Sequence, residues 1–146
     1  IDKEKLPQGL LLQQIANLKL GEHIRDDEGN VLYNNESLTY APRKSRSYAY
    51  CSDTAFDQQF IDQIKGIDLL YHEATFLEED ISKALETKHS TARQAATIAK
   101  LAGVTTLLLG HFSARYKDLA PILEEAKALF PNAKLAVEGE EFLIRD

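Results

Sequence analysis

The sequence predicts an α/β fold in which short parallel strands alternate with helices, and three observations carry that expectation. From Tyr48 onward, apolar runs of strand length are separated by segments with helical spacing. Gly66, Gly103 and Pro131 fall where those helices should stop. Short strands interleaved with helices imply βαβ units rather than an all-β architecture.

Taken in order, Leu10 to Leu20 reads as a short helix, which Gly21 ends by allowing a left-handed cap. The segment from His23 to Leu38 reads as a hairpin, with the turn-rich Asp26-Asp27-Glu28-Gly29-Asn30 leading into Val31-Leu32-Tyr33. Ala41 to Ser47 is a polar basic loop opened by Pro42, and Tyr48 to Cys51 is the strand after it. Phe56 to Ile64 is expected as a helix with Phe60, Ile61 and Ile64 on one face. The apolar run Ile67 to Tyr71 is the next strand, and Phe76 to Leu85 a second, more acidic helix. Thr91-Ala92-Arg93-Gln94 has the spacing of a capping box, and the helix behind it should bury Ala95, Ile98, Ala99 and Ala102. Thr105 to Gly110 is a strand, Asp118 caps a helix through Leu129, and Pro131 closes it. Leu135-Ala136-Val137 and Phe142-Leu143-Ile144 are expected as strands joined at Glu138-Gly139-Glu140. No repeat, low-complexity tract or linker interrupts this order, so one compact layered structure is expected, whole or half of something larger.

The bulk numbers bound the function. At 146 residues and 44% hydrophobic content the chain fits one domain with a real core. A net charge of -6 argues against a generally nucleic-acid-binding surface, yet leaves room for a local basic patch. Arg43, Lys44 and Arg46 form one such cluster, Arg115 and Lys117 another. The single cysteine, Cys51, excludes an internal disulfide and is expected as a buried, inert thiol. No apolar stretch approaches the ~20 residues needed to span a membrane, and no signal-peptide pattern opens the chain. The chain starts at Ile1 and holds no methionine, which fits a fragment lacking its N-terminal part.

Four ionisable elements fall just after strands or at a helix entry: Asp53, His72-Glu73, His89 and His111. Strand ends on one edge of an α/β sheet converge, so residues distant in sequence can share a site there. Asp53 reads first as an N-cap, and alternatively as a carboxylate bridging two cations. His111 reads either as a hydrogen-bonded structural histidine or as a zinc ligand. Side chains alternate along a strand, so only one of His72 and Glu73 can face a given cleft. If it is Glu73, His89 can meet it, either as a loop-to-loop hydrogen bond or as an oriented proton donor. The basic loop reads as a solvated charge run or as a phosphate-backbone contact.

Together Ser52-Asp53-Thr54, His72-Glu73-Ala74-Thr75-Phe76, His89-Ser90-Thr91-Ala92 and His111-Phe112-Ser113-Ala114-Arg115-Tyr116 resemble the ribonuclease Z family of the metallo-β-lactamase superfamily. Pro42-Arg43-Lys44-Ser45-Arg46-Ser47 resembles that family's Pro-x-Lys-x-Arg-Asn loop, with Ser47 in place of Asn. The resemblance implies the C-terminal half of a metallo-β-lactamase αβ/βα sandwich that holds two zinc ions in a cytoplasmic, homodimeric tRNA 3′-trailer endoribonuclease. It implies that Asp53 bridges both zincs and that His111 ligates one of them. It implies that Glu73 and His89 form the proton relay, and that Lys44 and Arg46 lie along the precursor tRNA. The family's N-terminal His-x-His-x-Asp-His motif is absent, so the chain alone is expected to be inactive and to hold no stable zinc pair, a catalytic zinc site needing at least three protein ligands. Two alternatives stand beside this reading: another phosphodiesterase or hydrolase of the same fold, and a metal-free interaction domain.

Overall fold

Strands β3 (Tyr48–Cys51), β4 (Leu69–Glu73), β5 (Thr106–Gly110) and β6 (Ala133–Leu135) form one sheet in that spatial order, with every neighbouring pair parallel. The register sets Cys51 beside His72, and Glu73 beside Gly110, so the C-terminal ends of β3, β4 and β5 lie together. A computed structural model of the chain describes residues 1–41 and 44–144. It divides into two units, residues 1–44 and 45–146, where the sequence shows no linker. Pro42 and Arg43 of the basic loop lie outside the described residues.

The first unit holds helix α1 (Leu12–Lys19), the antiparallel hairpin of β1 (Ile24–Arg25) and β2 (Val31–Tyr33), and the single-turn helix α2 (Asn35–Leu38). Leu18, Ile24 and Leu38 are its buried centre. The Asn35 amide fixes the turn after α1 by donating to the Leu18 and Glu22 carbonyls.

In the second unit helix α4 (Ala92–Ala102) supplies the face that covers the sheet. Ala92, Ala95, Ala96, Ile98, Ala99 and Ala102 are buried, and the small alanines let the helix approach Leu70, Leu107 and Leu109 closely. Burying each of these leucines contributes about 1.5–3 kcal/mol. Helix α5 (Ala120–Lys127) adds Ile122 and Ala126 to the same core. The expected capping box is present, with Gln94 N donating to Thr91 Oγ1 and Thr91 N to Gln94 Oε1.

Three helical expectations change. Phe56 to Ile64 is helical only in the 3-10 turn Ile61–Ile64, because the Asp57 carboxylate accepts from Gln59 N and ties the backbone into a local turn. Phe76 to Leu85 becomes a 3-10 turn, Glu78–Asp80, followed by α3 (Ile81–Thr87). Phe76 itself spends its backbone on a parallel bridge with Thr91. Asp118 does accept from Ala120 N at the start of α5, but regular helix ends at Lys127. The chain end also differs. The strand is Ala133–Leu135, paired with β5, and Phe142 to Ile144 forms no strand. A three-residue apolar run beyond a turn is too short to hold a hairpin by itself.

Candidate functional site

The strand ends deliver their side chains through unusual backbone. Asp53 (φ 50°), Lys88 (φ 59°) and His111 (φ 56°) are the non-glycine residues with positive φ among those described. Such conformations cost about 1–3 kcal/mol each and persist where the surroundings impose them. Two of them carry proposed site residues, and Lys88 turns the chain out of α3 immediately before His89. No helix starts at Asp53, so the capping role left open for it is not used.

Glu73 is the hub. It is fully buried, and its Oε1 accepts from Thr54 N at 2.6 Å and faces His89 Nδ1 at 2.9 Å. Its Oε2 accepts from the Thr75 hydroxyl at 2.6 Å and from Ser90 N at 3.0 Å. Burial pushes the carboxyl up, but the donors from Thr75, Ser90, His89 and Thr54 outweigh it and hold it below the usual carboxylate range. His72 points to the other face. It is buried, its Nδ1 lies 2.7 Å from the Glu73 carbonyl, and its Nε2 has no partner among the described residues. Burial lowers its pKa.

His111 Nε2 stands 3.1 Å from Asp53 Oδ1, and its ring centroid is 5.1 Å from that of His89. One donor atom from each of Asp53, His89 and His111 lies within 4.8 Å of the others. Sequence reasoning paired Asp53 with His111 alone; the fold adds His89 as a third donor. One carboxylate and two imidazoles, partly exposed, fit a divalent transition metal, with zinc among those that accept such a set.

Arg46 precedes β3, at the end opposite Asp53, and Lys44 is the last residue of the first unit; both are exposed. Ser47 is committed to structure: its amide and hydroxyl reach Asp68 Oδ2 at 2.7 and 2.8 Å and set the start of the β3–β4 pairing.

Further groups brace the cluster. The Tyr116 hydroxyl donates to Asp80 at 2.6 Å, and together with Lys83 it brings the Asp80 carboxyl down to about 2. Arg115 lies over the Phe76 ring and reaches Asp80, tying the segment after His111 to the segment after Glu73. Glu125 of α5 accepts from the Glu78 and Arg93 amides, which anchors the entry to α4 beside His89. Thr75 and Tyr116 stand inside recognisable motifs, but Asp80 and Glu125 carry no local sequence signal.

A parallel α/β sheet whose strand ends gather carboxylate and imidazole donors defines a candidate hydrolytic metal centre. Residues 20–112 match the β-lactamase superfamily domain model, and the chain belongs to that superfamily. It is 47% identical over 146 residues to the ribonuclease Z of Cytophaga hutchinsonii, covering 100% of this chain and 47% of the relative. It is 50% identical over 110 residues to the ribonuclease Z of Porphyromonas gingivalis, covering 75% and 36%. Among solved structures it is similar to the short form of human tRNase Z, at 31% identity and TM-score 0.52, covering 69% of this chain and 34% of that one. The metallo-β-lactamase fold protein YhfI of Bacillus subtilis matches at 28% identity and TM-score 0.58, covering 63% and 37%. The fold is thus part of a metallo-β-lactamase domain, and the chain spans less than half the length of the curated relatives it matches.

Proposed function

We propose that this chain is the C-terminal part of a zinc-dependent endoribonuclease that removes 3′ trailers from tRNA precursors. The observation that carries the reading is the convergence of Asp53, His89 and His111 beside a buried Glu73, in a chain similar to ribonucleases Z along its whole length. Asp53 and His111 would hold metal, and the remaining ligands of a two-zinc centre would come from an N-terminal part outside this chain. Bound zinc would generate a hydroxide nucleophile near neutral pH and offset charge on the scissile phosphate.

Glu73 holds His89 through Nδ1, which leaves the opposite ring nitrogen to pass a proton to the departing ribose 3′-oxygen. Lys44 and Arg46 would lie along the tRNA backbone. The whole protein would work as a homodimer in the cytoplasm. No helix among the described residues is long and apolar enough to cross a membrane.

The test is cleavage of a 3′-extended tRNA precursor with zinc, using the full-length protein and this chain side by side. Cleavage at the discriminator end by the full-length protein alone is the expected result. A folded, zinc-loaded full-length protein that leaves the precursor intact would move the reading to another hydrolase of the same fold.

A further inference from the structure

We propose that Ser90 is a positioning residue: its hydroxyl closes a ring of hydrogen bonds that holds Asp53 and His89 at a fixed separation. The effect on catalysis rests on the functional reading above; the ring itself does not.

Three bonds form the ring, and each has a fixed direction. Thr54 N donates to Glu73 Oε1 at 2.6 Å, Ser90 N donates to Glu73 Oε2 at 3.0 Å, and Ser90 Oγ lies 2.7 Å from the Thr54 carbonyl. A carbonyl oxygen only accepts, so the single hydroxyl proton of Ser90 lies on that last bond. No histidine protonation state enters. Both backbone polar groups of Thr54 are thereby taken, by a glutamate and a serine that are each fully buried.

Asp53 and His89 each stand one residue before a member of this ring. Asp53 has φ 50°, a conformation unfavourable for a residue with a side chain. Its own carboxylate is 70% exposed, and its close polar contacts among the described residues are His111 at 3.1 Å and Ser52 at 3.5 Å. Such a side chain has little hold on its backbone, so the hold comes from Thr54. Glu73 Oε1 faces both Thr54 N and His89 Nδ1, which ties the two segments together at one point. A single hydrogen bond still lets Thr54 pivot; the Ser90 hydroxyl on its carbonyl supplies the second point. In the proposed site Asp53 serves the metal side of the breaking bond and His89 the leaving oxygen. Their separation must match both ends of that bond, and a misplacement of ~1 Å costs about 10²-fold.

The test reads amide hydrogen exchange at Thr54 in the full-length protein freed of zinc. The wild-type Thr54 amide should be protected although Asp53 beside it is exposed. Ser90→Ala should speed exchange at Thr54 by roughly tenfold, the size of one lost buried hydrogen bond, without changing it in β5 or α4. Ser90→Thr, which keeps the donor, should hold the wild-type rate. The alanine variant should also bind zinc roughly tenfold more weakly in chelator competition, and lower kcat for precursor cleavage with KM unchanged, threonine restoring both. A freely exchanging Thr54 amide in the wild type overturns the proposal, and decides even if Ser90→Ala fails to fold. So does exchange that rises in β5 and α4 as much as at Thr54, or a folded Ser90→Ala protein with unchanged zinc affinity and kcat. A protected Thr54 amide in a protein that leaves the precursor intact would support the ring and count against the functional reading.

Discussion

Glu73 and His72 are adjacent residues with opposite assignments, and each makes its own prediction. Replacing Glu73 by alanine orphans the Thr54 and Ser90 amides and the Thr75 hydroxyl in a buried site, which should cost about 3 kcal/mol of stability in addition to slowing cleavage. His89→Ala removes a half-buried ring and is the cleaner probe: cleavage should slow while zinc and tRNA stay bound. Asp53→Ala should abolish both metal binding and activity. Zinc loss in His89→Ala would make His89 a ligand, a role its place beside Asp53 and His111 permits. His72 predicts a pH dependence. Its folded pKa lies below the value of 6.5 it has when unfolded, so the unfolded chain binds more protons between the two. Stability should therefore be complete above about pH 6.5 and fall as pH drops toward the folded value. The Glu73 contribution, with a folded pKa below 4.5, is present above that value and lost only in stronger acid. Urea midpoints at mildly acidic pH should separate the two, and His72→Asn, which keeps a donor for the Glu73 carbonyl but does not titrate, should flatten the upper window. An unchanged slope would remove His72 as the cause.

The connections between elements explain which features could be read in advance. Thr91 and Gln94 announce their helix because a capping box is complete within four residues. Asp53, Glu73 and His111 are legible because strand ends recur at regular intervals and share an edge. The misread segments fail for local reasons: Asp57 diverts the backbone before Ile61, and Phe76 pairs with Thr91 across the intervening α3. The braces are invisible for the opposite reason, since Asp80 to Tyr116 and Glu78 to Glu125 span 36 and 47 residues. One junction is testable by itself. Lys88 caps α3 in the left-handed region, where a side chain costs about 1–2 kcal/mol and glycine costs little. Lys88→Gly should raise the thermal midpoint without disturbing the Glu73–His89 hydrogen bond. A lowered midpoint would show that the Lys88 side chain contributes more than its backbone strain costs.

The whole molecule carries an asymmetry that its separate elements hide. Parallel sheets are normally covered on both faces. Here α4 and α5 cover the face that bears Leu70, Leu107 and Leu109. On the other face, Leu69 and Leu108 are sheltered, but Tyr48 and Tyr50 of β3 are 52% and 63% exposed, with Tyr50 stacked on Tyr71 at 4.5 Å. Among the described residues β3 is also an edge strand that pairs only with β4, so exposed aromatic surface and open backbone hydrogen-bonding groups coincide. If the protein is longer than this chain, as the relatives' lengths suggest, that edge is where further structure would add. The isolated chain should then self-associate through it as concentration rises, and sedimentation velocity would show the average mass increasing. Tyr50→Lys places a charge on the exposed edge and should shift the equilibrium back toward monomer with little loss of stability, because the ring it replaces is mostly in solvent. A clean monomer at high concentration for the unmodified chain would mean that the β3 edge is already sufficiently protected, and that the exposed tyrosines need no covering partner.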